Sequence, residues 1–102
     1  MTYHNESTER LFRAILSLQT MEECYQFFED ACTVREILDI AQRFEVAGML
    51  ADKKSYQVIT KETGMSTATI SRVNRSLRYS TDGYDKVLDI LQLQEKRDWR
   101  NR

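Results

Sequence analysis

Apolar positions recur along the chain at intervals of three and four residues, and no segment alternates convincingly at every second position, so the pattern predicts helices and no strands. Leu11, Phe12, Ile15 and Leu16 mark one face of a first helix at about residues 7–18. A second is expected after Thr20, where TMEE offers a capping box from Thr20 to Glu23, and runs to about Ala31 with Tyr25, Phe27 and Phe28. TVRE repeats the signal at Thr33 to Glu36 and opens the longest helix, about residues 34–51, with Ile37, Leu38, Ala41, Phe44 and Ala47 on one face. Ser55 can cap a short helix from Tyr56 to Thr63, and Gly64 stands where a residue of positive φ ends a helix. Ser66 then caps a fifth, about residues 67–79. Asp82 caps a last one through about Lys96, with Val87, Leu88 and Leu91 facing inward. The expectation is an all-α fold of six helices in a single domain over residues 1–102.

Composition agrees with that reading and limits the function. Proline is absent and only Gly48, Gly64 and Gly83 are glycine, which suits helices. A domain of 102 residues buries a modest share of its surface alone, so a core shared in an oligomer would help it. No apolar run approaches a membrane span, and MTYHNESTER has neither the basic nor the apolar region of a secretory signal. A soluble, cytoplasmic protein with no membrane partner is expected. Cys24, Cys32 and His4 are too few to complete a four-ligand zinc site in one subunit. The cysteines read as reduced core residues, and His4 as a solvated terminal side chain. With no nucleophile motif and no glycine-rich phosphate loop, neither an enzyme nor a cofactor is expected, and no metal or catalytic residue is assigned. The C-terminal EKRDWRNR reads as a solvated tail.

Charge becomes informative when divided along the chain. Residues 1–52 carry four basic and ten acidic side chains, whereas residues 53–79 set Lys53, Lys54, Lys61, Arg72, Arg75 and Arg78 against Glu62 alone. A near-neutral total thus conceals a basic middle, and a local basic surface is what a duplex attracts. The same segment holds two short helices separated by a tight turn with glycine, the elements of a helix-turn-helix at about residues 56–79. Val58 and Ile59 can meet Met65, Ile70, Val73 and Leu77. Ala68, Ser71, Arg72, Arg75 and Tyr79 lie opposite that stripe, with Thr67 and Thr69 flanking.

Small residues at an exposed helix start have no use to a merely solvated helix. A groove-entering helix needs them, because methyls can touch thymine and hydroxyls can reach bases or phosphates. Ser66 and the N–H groups behind it suit a phosphate, and Lys61 and Arg75 suit backbone contacts. Two readings stay open on residues alone: double-stranded DNA, or a helical interaction module that turns the same basic face to a protein or RNA.

The stretch YQVITKETGMSTATISRVNRSL resembles the helix-turn-helix of the Trp-repressor-like family, and the chain from about Phe27 to Leu91 is similar to its YerC-type subgroup. The shorter GMSTATISRV is also similar to LacI-type repressors. The resemblance implies an intertwined homodimer with two reading heads and a DNA-binding transcription regulator, expected to be a repressor. It places Thr67, Ala68 and Thr69 at base-reading positions, and Gln57 and Thr60 where the preceding helix meets DNA. It also matches Arg43 and Arg72 to the arginines that sandwich bound tryptophan, and Thr33 and Ser76 to two further pocket positions. The departure is Val73, which stands where the resemblance expects glycine. Its branched side chain would fill the space beside a ligand, so tryptophan is not the expected effector; another small molecule is left open. Arg43 has a plainer reading, pairing with Glu36, Asp39 or Glu45, as does Arg72, touching phosphate.

Overall fold

The structure is a computed structural model that describes the backbone of residues 3–79 and 81–100, with the side chains of all of these except Leu93 and residues 96–100. Among the described residues there are six α-helices and no strand: α1 (Glu6–Leu16), α2 (Met21–Ala31), α3 (Val34–Ala51), α4 (Tyr56–Thr63), α5 (Thr67–Tyr79) and α6 (Gly83–Arg100). None is long and apolar enough to cross a membrane.

The helix starts follow local chemistry. Thr33 and Glu36 form a complete reciprocal box: the Thr33 N–H donates to Glu36 Oε1 at 2.8 Å and the Glu36 N–H donates to the Thr33 hydroxyl oxygen at 3.1 Å. The box expected at Thr20 is altered. Thr20 accepts from the Glu23 N–H at 3.0 Å, but Glu23 Oε1 accepts from the Gln19 N–H at 2.7 Å, one residue before the cap. Asn5 supplies a box the pattern did not reveal: its Oδ1 accepts the Thr8 N–H and its N–H donates to Thr8 Oγ1, each at 3.0 Å.

The ends differ from expectation in two places. α1 stops at Leu16 because Ser17 N–H and Leu18 N–H reach back three residues to Ala14 and Ile15, tightening the last turn, while the Ser17 hydroxyl donates to the Ala14 carbonyl at 2.6 Å. α6 continues past Lys96 to Arg100, so the expected tail is helical in backbone as far as Arg100; residues 101 and 102 and the side chains of 96–100, Trp99 included, lie outside the described residues. Asp82, expected as the cap of this helix, turns through φ 64° and its carbonyl accepts from Lys86 N–H. Aspartate tolerates that conformation better than most residues.

The chain divides into two compact units between Leu38 and Asp39. In the first, α1 and α2 hold no buried residue. Leu11, Phe12, Leu16, Met21 and Tyr25 are exposed, Leu16 to 83%. Met21, Cys24, Tyr25, Phe28 and Ile37 line an open apolar hollow of about 180 Å³. Cys24 and Cys32 are free and only half-buried, rather than core residues. His4 is exposed, its ring edge-on to Tyr3.

The second unit has its own core. Val46, Ala47, Met49, Ile59, Ile70, Val73 and Leu88 are buried, with Phe44, Leu50, Tyr56, Met65 and Tyr84 packed against them. Burying the valine, isoleucine, leucine and methionine side chains among them contributes about 1.5–3 kcal/mol each, and α5 packs on both α4 and α6. The inward set expected of α6 separates: Leu88 is buried, Leu91 half-buried, and Val87 52% exposed. Val58, expected to meet the turn, is exposed as well.

Candidate nucleic-acid interface

The helix pair α4 and α5 is joined by Gly64, Met65 and Ser66. Ser55 opens α4 by accepting the Val58 N–H at 3.2 Å. Gly64 closes it in the left-handed region at φ 75°, its N–H donating to the Thr60 carbonyl, and nothing lies within 4 Å of where a Cβ would stand. Backbone conformation, not lack of space, is what calls for glycine there. Thr63 secures the turn, donating its hydroxyl to the Ile59 carbonyl at 2.7 Å and accepting the Met65 N–H at 3.2 Å. The chain therefore emerges from a fixed corner into α5.

Ile70 and Val73 pin α5 to the core, with Leu77 half-buried further along the same stripe. Ser66, Thr67, Ala68, Ser71, Arg72 and Arg75 are exposed on the other side. Thr69 is half-buried; its N–H donates to Ser66 Oγ at 3.2 Å, and the two hydroxyl oxygens are 3.1 Å apart. On α4, Gln57 and Lys61 are exposed, whereas Thr60 is half-buried with its Oγ1 enclosed and without a hydrogen-bond partner among the described residues.

Electrostatics favour an anionic partner. The single acid of residues 53–79, Glu62, is engaged by Lys54 at 3.4 Å, while Lys53, Lys61, Arg72 and Arg75 are exposed. Arg78 donates through Nε to Asn74 Oδ1 at 3.0 Å, one turn back on the helix, which holds its guanidinium along α5.

The candidate effector residues have separate surroundings. Arg43 and Arg72 are exposed. Thr33 is occupied as the cap of α3. Ser76 lines an open cavity of about 370 Å³ whose other described walls are Phe44, Thr81, Gly83, Tyr84 and Val87, and neither arginine is among them. Val73 is buried in the core, as its place in the apolar stripe requires. No group of three or more metal-ligating side chains occurs among the described residues. The Thr69 and Thr60 surroundings escaped the sequence pattern because periodicity places a residue on a face without fixing its rotamer or its partner.

Comparison with known proteins places this geometry. The sequence pattern described as Trp repressor protein matches residues 6–92. The uncharacterized protein YerC of Bacillus subtilis (strain 168) is 56% identical over 81 residues, which cover 79% of this chain and 78% of that protein. A crystal structure of a TrpR-like protein from Eubacterium eligens ATCC 27750 superposes with a TM-score of 0.86 at 55% identity, over 89% of this chain and 94% of that one. A crystal structure of a Trp repressor candidate from Staphylococcus aureus gives 0.85 at 47% identity, over 89% and 91%. With its six helices, its glycine-cornered α4 and α5 and a match spanning most of its length, the chain belongs to the Trp repressor protein family.

Proposed function

We propose that this protein is a sequence-specific, homodimeric DNA-binding regulator that acts as a repressor by occupying a palindromic site. The observation that carries the reading is the face of α5: small and hydroxyl side chains at its exposed start, arginines beyond them, and Ile70 and Val73 buried behind. That is the composition a recognition helix needs to approach base edges in a major groove. Ser66, Thr67, Ala68, Thr69, Ser71, Arg72 and Arg75 form the face, and Gln57, Thr60 and Lys61 adjoin it from α4. Family membership supports regulation, and the names of the similar proteins support repression.

The dimer is supported by what α1 and α2 leave uncovered. A helix pair with no buried residue and several exposed aromatic and aliphatic side chains has not satisfied its apolar faces within one chain. Half-sites about one helical turn, roughly 34 Å, apart follow for two heads related by a twofold axis. The effector positions Thr33, Arg43, Arg72 and Ser76 do not require tryptophan, and a cytoplasmic location fits a regulator of this family.

Two measurements test the proposal. Sedimentation at micromolar protein should give a dimer; a stable folded monomer of 12.1 kDa contradicts it. Binding to mixed-sequence duplex should weaken steeply with salt, log K falling by about 0.9 per phosphate contact for each decade. Binding to RNA or to a protein, with none to duplex, would replace this reading by an interaction module.

A further inference from the structure

We infer that Thr69 is a positioning residue of the first turn of α5 and not a reader of sequence, so that base discrimination falls to Thr67 and Ala68. This rests on the DNA-binding reading and concerns how that face divides its work. Both polar groups of Thr69 are turned to Ser66: the N–H donates to Ser66 Oγ at 3.2 Å, and the two hydroxyls share a contact of 3.1 Å. Thr69 is half-buried, whereas Thr67 and Ala68, the two residues before it, are exposed.

The start of α1 offers an internal comparison. There too a threonine stands three residues after the cap, taking the cap's Oδ1 with its N–H and receiving the cap's N–H on its Oγ1, each at 3.0 Å. The chain thus uses threonine at this position to fix a helix start on a helix to which no groove contact is assigned. On α5 the same position locks the Ser66 hydroxyl, and with it the turn from which Thr67 and Ala68 project. To turn toward a base, the Thr69 hydroxyl would have to give up its 3.1 Å contact with the Ser66 hydroxyl, the contact that orients the capping oxygen receiving the Thr69 N–H.

The test uses the full chain, the duplex it prefers and the set of single-base variants of that duplex, with affinities read by competition. Thr69→Val keeps the shape and removes the hydroxyl; it should weaken binding to every duplex by one common factor of a few-fold and leave their ranking intact. Thr69→Ser should restore affinity, and Ser66→Ala should reproduce the uniform loss from the other side of the pair. Thr67→Ala should instead change the ratio between particular duplexes by roughly 5- to 150-fold at one or two base positions. A changed ranking in Thr69→Val, or a Thr69→Ser as weak as Thr69→Val, overturns the inference while leaving DNA binding in place. Failure of the wild-type chain to prefer any duplex removes the DNA-binding reading itself, and this inference with it.

Discussion

Arg72 and Val73 are consecutive on α5 and occupy opposite environments: the arginine is exposed, and the valine, 2% exposed, belongs to the core with Val46, Ala47, Ile59 and Ile70. A side chain that anchors α5 from within can hold the proposed recognition helix in place without a ligand. Val73→Gly should lower stability by roughly 2–4 kcal/mol, combining lost burial with the helix cost of glycine, and should weaken DNA binding. Calorimetric titration of the wild type with tryptophan should show no saturable binding, and DNA affinity should be the same with and without it. Tighter DNA binding coupled to tryptophan would refute this assignment of Val73.

The resemblance puts Thr60 where α4 meets DNA, and its Oγ1 is enclosed with no hydrogen-bond partner among the described residues. An unsatisfied buried hydroxyl costs on the order of 1–3 kcal/mol, and an apolar group of the same shape avoids that cost. Thr60→Val should therefore raise the unfolding midpoint and leave DNA affinity unchanged. A loss of affinity in Thr60→Val would show that the hydroxyl rotates out to meet DNA.

Glu36 is held below the usual carboxylate range, first by the backbone N–H of Thr33 and then by its hydroxyl. A lowered folded-state value means that the box contributes stability fully above the unfolded value of about 4.3 and loses it as pH falls through the folded value. Glu36→Gln keeps an acceptor at the same reach and removes the titration. Its unfolding midpoint should fall less steeply than that of the wild type as pH drops below about 4.3; parallel acid limbs would show that the box carries no charge-dependent stability.

Lys61 and Arg75 are exposed cations beside the α5 face. Lys61→Ala or Arg75→Ala should weaken binding to all duplexes alike and reduce the salt slope by about 1. A change of sequence preference in either would mean that the side chain reaches a base edge.

Helix starts were legible in the sequence wherever a short side chain closes onto its own backbone, as at Thr33, Ser55 and Ser66, because such caps need no distant partner. The left-handed corner at Gly64 was legible for the same reason. The early end of α1 was not, since it depends on the Ser17 hydroxyl competing for the Ala14 carbonyl. Burial was legible as a stripe, giving Ile59, Ile70 and Val73, but not in detail: Val58 and Val87 sit on expected inward faces and are exposed. Within the candidate interface, the pattern placed Thr67 and Thr69 alike, and hydrogen bonding and burial separate them.

Selection of the wild-type chain on a random duplex library decides whether α5 reads duplex DNA in a twofold arrangement. The expected result is enrichment of an inverted repeat whose half-sites are centred about one helical turn, roughly 10 base pairs, apart. Sequences recovered without any enrichment, or enrichment of a single asymmetric site bound by a monomer, would contradict it.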